Sequence, residues 1–376
     1  MRWNDTLNVL RRVAPESLAE GWDKVGAHLG RDDDGEIAKA LLCIDLTEAV
    51  ADEAIAAGVS LIVAYHPPLF QPVTRLAAGD EATWRERMLR KLIRHDIGVY
   101  SPHTALDAVR GGINDWLCEG LGPGISRPLK ATTARRDEVK IVVFVPADEA
   151  ATVREAMSRA GAGWIGNYRE CSFHVAGEGG FRPIEGANPT IGRVGTRETV
   201  AELRLEMICP GEHLPRVIEA IYASHTYEEP AFDVFEEATV PDVPEKATGA
   251  GRLLTLDEPI RRGELVERVK ARLGVERVFA AGAGVDEPVR TVAVCPGAGG
   301  SLLENDLPGA DAYLTGEMRH HDILDLRERN RLVVLPGHTQ TERPYLPTYR
   351  DRLIEHGGDA IDWLISAADT PAGSVA

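Results

Sequence analysis

Apolar positions along this chain form short, nearly continuous runs separated by longer mixed stretches. Residues 38–44, 60–64, 97–100, 252–256, 277–281, 291–294, 312–314 and 332–335 have the apolar, branched character of buried strands. Residues 47–57, 81–95 and 262–273 read as helices between them. Strands alternating with helices predict βαβ units and a mostly parallel sheet covered on both faces, an α/β fold. Residues 5–20 read as a helix with a proline interruption, about 342–356 as a C-terminal helix, and 368–376 as a frayed tail.

Between about residues 129 and 246 the pattern changes. The polar stretches KATTARRDE and ATVPDVPEKATG look like linkers bounding an insert. Inside it, strands at 140–145, near 172–175, at 202–208 and 231–235 alternate with helices at 148–160 and 212–223. This is a split β-α-β order of ferredoxin-like α+β type. The glycine-rich centre GEGGFRPIEGANPTIGRVG reads as a long loop or hairpin. The expected organisation is therefore a discontinuous α/β domain, residues 1–130 and 247–376, interrupted by an insert at 131–246.

A weak internal repeat joins the outer pieces. LIRHDIGVYSPHTALD at 92–107 aligns without gaps with RERNRLVVLPGHTQTE at 327–342, and GVSLIVAYHPP upstream looks like GADAYLTGEMRHH. Two related βαβ halves would bring similar strand ends together, and open α/β sheets bind ligands at the carboxyl ends of their strands.

Those strand ends carry the candidate chemistry. They offer His66, then His103 with Asp107, then His338 with Glu342. Imidazole and carboxylate together are the donors that zinc, iron or manganese takes. A plainer alternative exists at the last of these: Thr339-x-x-Glu342 also fits a capping box that closes the first turn of a helix. His320 and His321 are either further ligands or a solvated helix start. The turn holding Gly297, Gly299, Gly300 and Ser301 is either a tight turn or a set of backbone N–H groups facing an anion. It lacks the Gly-Lys-Ser/Thr ending of a P-loop.

Charge narrows the partners. A net charge of −17 over 376 residues argues against an electrostatic grip on nucleic acid or anionic lipid. No apolar run approaches the length of a membrane span, and MRWNDTLNVLRR lacks a signal core, so a cytoplasmic protein is expected. Cys43, Cys118, Cys171, Cys209 and Cys295 are dispersed without a Cys-x-x-Cys pair, which suits reduced, mostly buried thiols.

Several ordered motifs carry a resemblance. Trp22-Asp23-Lys24-Val25-Gly26, Tyr65-His66-Pro67-Pro68-Leu69-Phe70, Pro102-His103-Thr104-Ala105-Leu106-Asp107, Gly316-Glu317-Met318-Arg319-His320-His321-Asp322 and Gly337-His338-Thr339-Gln340-Thr341-Glu342-Arg343 resemble the dinuclear metal-centre hexameric proteins. These are also called GTP cyclohydrolase I type 2 homologues or Nif-three-like proteins. Gly166-Asn167-Tyr168, Phe181-Arg182-Pro183, Glu185-Gly186-Ala187-Asn188-Pro189 and the segment from His225 to Ala231 resemble the inserted domain of the longer bacterial members, which is similar to PII and CutA-type trimeric domains. The resemblance implies two divalent metal ions held by His66, Asp107, His338 and Glu342, with Glu342 as the bridge, and a homohexamer of stacked trimers. This chain departs from the family pattern at Tyr65, where a second histidine is expected. A phenol is a poor ligand for most divalent ions. The second metal position is therefore weakened or asymmetric, with His103 or His321 available to help.

Two functions of different class follow. One is a metal-dependent hydrolase acting on a small phosphate- or nucleotide-like substrate. The other is a non-catalytic metal-stapled scaffold or regulator, whose insert senses a small molecule or partner.

Overall fold

The computed structural model describes residues 1–31, 34–132, 138–165, 168–236, 247–282, 284–303 and 309–373. Most of both expected linkers, at 133–137 and 237–246, and the Gly166-Asn167 pair lie outside the described residues. The chain is a mixed α/β protein with several sheets, and it separates into two compact units, Met1–Thr133 with Pro241–Ala376, and Ala134–Val240.

The first unit holds two main sheets. In one, the strands run Gly26–Leu29, Gly98–Ser101, Leu61–Ala64, Lys39–Cys43 and Asp362–Ile365, and only the first pairs antiparallel to its neighbour. In the other they run Phe279–Ala281, Leu332–Leu335, Ala312–Thr315, Pro288–Cys295, Arg252–Arg261 and Gly124–Arg127. Only its three central strands are parallel. The expectation of a mostly parallel sheet fits the first sheet and fails in the second, where antiparallel strands extend the parallel centre on both sides.

Strand alternation divides the cores. Leu42, Leu61, Val63 and Tyr100 point one way, into a continuous core shared with Leu254, Val292, Leu314 and Val334 of the other sheet. The helix faces of Trp3–Val13 and Leu346–Leu353 pack into the same core through Leu7, Leu10, Tyr349 and Leu353. Leu41, Ile62 and Val99 point the opposite way, against Val50 and Ala54 of helix Glu48–Ala56 and Met88 and Leu92 of helix Trp84–Arg94. With successive side chains on opposite faces, runs such as Leu61-Ile62-Val63-Ala64 must be apolar throughout.

One buried ion pair ties the early and late segments of this unit. Arg252 is fully buried, and its guanidinium donates to both carboxylate oxygens of Asp115 at 2.5 and 3.2 Å. It also donates to the carbonyls of Gly249, Gly251, Ala108 and Val109. A buried cation survives when its donors are satisfied in this way.

Three local expectations change around the C-terminal segment. A capping box does form at Thr83-x-x-Glu86, which opens helix Trp84–Arg94, but none forms at Thr339-x-x-Glu342. Residues 338–342 are a turn, and the helix begins only at Leu346 after the single turn Arg343–Tyr345. Strand Asp362–Ile365 follows it with Trp363 buried, and the expected tail is anchored at Asp369, whose carboxylate accepts the Ile44 N–H at 2.7 Å and pairs with Arg343.

In the second unit, strands Phe232–Glu236, Glu138–Pro146, Glu198–Pro210 and Phe173–Phe181 lie in that order and are all antiparallel. Helices Ala150–Arg159 and Leu214–Ser224 cover one face through Val153, Met157, Val217 and Ile221. The glycine-rich centre proves to be part of a hairpin, its first residues paired so that Gly177 faces Glu202. All five cysteines are unpaired, and no helix among the described residues is long and apolar enough to cross a membrane.

Candidate metal centre

The site forms where strands from both sheets end. Strand Leu61–Ala64 delivers Tyr65 and His66, and strand Leu332–Leu335 delivers His338 and Glu342 through a turn opened by Pro336 and Gly337. His66, His338 and Glu342 bring one ligand atom each within 4.8 Å of one another, the one such group among the described residues. His66 Nε2 lies 3.5 Å from Glu342 Oε2, and His338 Nε2 lies 3.4 Å from Glu342 Oε1. Glu342 is 3% exposed, and its Oε2 has no hydrogen-bond donor. A buried carboxylate oxygen without a donor is costly unless a cation satisfies it, so this donor set fits a divalent ion.

Outer carboxylates orient both imidazoles. His66 Nδ1 lies 2.9 Å from Asp45 Oδ1, and His338 Nδ1 lies 3.2 Å from Glu317 Oε1. Each leaves Nε2 turned toward Glu342, the arrangement that fixes the tautomer of a metal-binding histidine. Burial disfavours the imidazolium of His66, but its hydrogen bond to Asp45 and the nearby Glu342 carboxylate outweigh this and raise its pKa to about 10. The hydrogen bond from His66 holds the Asp45 carboxyl below its ordinary value. Neither Asp45 nor Glu317 was singled out from sequence as a site residue. Asp45 stands two residues beyond the strand Lys39–Cys43 and Glu317 two beyond Ala312–Thr315. Strand-end position was the available signal.

The other predicted residues are arranged differently. Asp107 sits on helix His103–Ala108 and accepts the Tyr65 hydroxyl on Oδ1 at 2.5 Å. Burial raises its carboxyl to about 6, against the opposing pull of His103 and the Tyr65 hydroxyl. Tyr65 is itself 4% exposed, and burial, followed by Asp107 and Glu342, keeps its phenol well above the ordinary value. His103 Nδ1 is held by both oxygens of Asp23 at 2.8 Å. Burial opposes the Asp23 charge, yet bonds from His103 and Thr104 bring its carboxyl down to about 2. The His103 ring packs edge-on at 5.5 Å from that of His66. His320 and His321 are exposed at the start of helix His320–Glu328 and stand outside the cluster.

The glycine turn shapes the site sterically. The Gly297 N–H donates to Thr341 Oγ1 and the Gly299 N–H to Thr315 Oγ1, so neither faces an anion. Gly300 opens the four-residue helix Gly300–Leu303, and the Ser301 side chain lies outside the described residues. Gly297 has φ +60°, and a Cβ there would fall 2.4 Å from Glu342 Oε1 and 3.2 Å from His338 Nε2. Gly297→Ala is therefore expected to displace both ligands and weaken cation binding at least about tenfold, measured by calorimetric titration with zinc. An unchanged affinity would show that the turn can retreat.

The cluster lines a cavity of 520 Å³ whose other walls include Leu18, Trp22, Lys130, Pro296 and Leu302. A mixed α/β protein that gathers two imidazoles and a buried carboxylate at converging strand ends is a candidate metal-binding protein. The Duf34/NIF3 (NGG1p interacting factor 3) family matches residues 1–371, and the chain belongs to that family. It is 37% identical over 333 residues to a GTP cyclohydrolase 1 type 2 homolog of Halalkalibacterium halodurans, covering 88% of this chain and 87% of the relative. It is 36% identical over 365 residues to the protein of the same name from Mycobacterium tuberculosis, covering 96% and 93%. Among solved structures, a Bacillus cereus protein related to NIF3 superposes with a TM-score of 0.78 at 32% identity, covering 100% of this chain and 99% of that one.

Proposed function

We propose that the chain binds a divalent cation through His66, His338 and Glu342 and is a metal-dependent hydrolase of a small phosphate- or nucleotide-like substrate. The supporting observation is the buried, donor-free Oε2 of Glu342 facing two carboxylate-oriented imidazoles in the cavity wall. Bound there, zinc, iron or manganese would supply Lewis acidity toward a phosphoryl or carbonyl oxygen. Asp45 and Glu317 hold the two imidazoles in register, and Trp22, Leu18 and Leu302 give the cavity apolar walls. Lys130 also lines the cavity, ion-paired with Glu20 of the same wall at 2.7 Å. The relatives' name, GTP cyclohydrolase 1 type 2 homolog, puts nucleotides among the substrates to test. Protein reconstituted with zinc or manganese is expected to turn over a member of a panel of nucleotides, phosphoesters and amides, and His338→Ala to lose that turnover. A panel left untouched by metal-loaded protein would count against hydrolysis.

We infer further that residues 1–130 with 247–376 form one discontinuous metal-binding domain of two related βαβ halves. The support is that three consecutive parallel strands with an antiparallel neighbour occur in both sheets. The antiparallel strand order of the second unit supports a ferredoxin-like, PII/CutA-like insert at 131–246, and the family resemblance implies a hexamer of stacked trimers. A second function, a metal-stapled regulator, draws on a cavity of 790 Å³ within that unit. Glu202 lies at its wall, accepting from the Tyr227 hydroxyl at 2.8 Å, beside Arg204 and Phe144. A scaffold would fall apart when His338 and Glu342 are replaced, whereas an enzyme would keep its assembly and lose turnover.

A further inference from the structure

We propose that this chain holds a single cation, because Tyr65 occupies the place from which a second would be bound. The inference rests on the cation site proposed above and concerns how many ions it takes.

The repeat supplies two equivalent donor pairs, His103 with Asp107 and His338 with Glu342, at matching positions of the aligned segments. They meet different fates. The second pair converges with His66, and one of its carboxylate oxygens has no donor. In the first pair, His103 has its Nδ1 held by Asp23, as His338 has its own held by Glu317, so each histidine offers only Nε2 and the difference lies in the carboxylates. Asp107 has Oδ1 closed by the Tyr65 hydroxyl at 2.5 Å. A hydroxyl hydrogen and a cation compete for the same lone pairs, and with the Glu342 oxygens turned to His66 and His338, one imidazole with a half-engaged carboxylate falls short of the three protein donors that a zinc site requires.

Tyr65 is not free to swing aside. It is 4% exposed, its N–H donates to the Cys43 carbonyl, and its carbonyl accepts the Ser101 hydroxyl at 2.8 Å. Its ring sits against both histidines, 5.1 Å from the His66 ring and 5.5 Å from that of His103. Counting from the matching glycines Gly58 and Gly309, the repeat places Gly316 where the first half has Tyr65. A Cβ at Gly316 would come within 2.7 Å of the His338 Cα. The open half of the repeat therefore has no side chain where the closed half has a phenol. An imidazole at position 65 would remove the hydroxyl from Asp107 and add a donor beside His66 and His103.

The test is zinc stoichiometry under a competing chelator, with an anomalous-scattering map to locate each ion. One tightly held zinc per chain is expected in the wild type, bonded to His338 and Glu342, with no peak on Asp107. Tyr65→His is expected to hold two, and Tyr65→Phe, which adds no donor, to stay at one. Two ions in the wild type, or a bond from the single ion to Asp107, would overturn the proposal while leaving the cation site standing. A folded Tyr65→His that still takes one ion would overturn it as well. No peak at His338 and Glu342 in the wild type would remove the cation site itself. The wild-type map decides the matter even if the histidine variant does not fold.

Discussion

Glu342→Gln is expected to weaken divalent-cation binding more than about 100-fold while leaving the cation-free protein within about 1 kcal/mol of the wild type. Glu342 is the one residue of the cluster that faces both imidazoles, so its loss removes the centre of the donor set. In the cation-free state two changes oppose each other. The variant loses the attraction between a buried carboxylate and His66, but it also sheds the desolvation of an oxygen that no donor reaches. Thermal unfolding with and without zinc separates the two effects. At a hundredfold excess over its Kd, a bound ion stabilises the wild type by about 2.7 kcal/mol. A variant that keeps this ion-linked gain would eliminate Glu342 as a ligand.

Asp115→Asn is expected to destabilise the first unit by about 3–5 kcal/mol, the usual result of removing one partner from a buried ion pair. The Arg252 guanidinium stays fully buried in the variant, loses its counter-charge, and keeps as acceptors only main-chain carbonyls and the single amide oxygen at position 115. Burial alone would raise the Asp115 carboxyl, but its bonds from Arg252 and from the Gly111 N–H hold it below the ordinary value. Because the folded pKa is the depressed one, the pair contributes fully above the unfolded carboxylate range near about 4 and is lost as pH falls through the folded value. Chemical unfolding followed at neutral pH should show the full deficit, and the gap between variant and wild type should narrow toward pH 3. Equal stability at pH 7 would mean that water replaces the carboxylate.

The site was legible in sequence to the extent that it depends on strand ends. Continuous apolar runs such as Leu332–Leu335 announce buried strands, and His66, His338 and Glu342 stand just past two of them. The hydrogen bonds that differentiate the two halves of the repeat were not legible. His103 and His338 occupy matching positions and each has its Nδ1 held by a carboxylate, yet the Tyr65 hydroxyl closes Asp107 while no donor reaches Glu342 Oε2. Local propensity also failed where tertiary contacts rule. Thr339-x-x-Glu342 has the composition of a cap, but Thr341 makes the hydroxyl bonds, accepting from Gly297 and donating to the His338 carbonyl at 2.6 Å. Glu342 is thereby left facing the imidazoles. Strand Asp362–Ile365 was hidden because it is short and sits in a stretch of mixed polarity.

The pairing of Asp362–Ile365 with Lys39–Cys43 governs the order of folding. The first sheet cannot be completed during synthesis until residues 362–365 have emerged, and Asp369 reaches back 325 positions to fix Ile44 beside the metal ligands. Closing so long a loop costs entropy, and the cation site likewise joins His66, made early, to Glu342, made late. Residues 138–236 hold all four strands of their own sheet and form a continuous segment that can fold in the meantime. A nascent chain stalled before residue 362 would therefore carry a folded second unit and an apolar, unfinished first sheet. The cation site, which needs Glu342 as well as His66, is complete only in a chain that has been made nearly to its end.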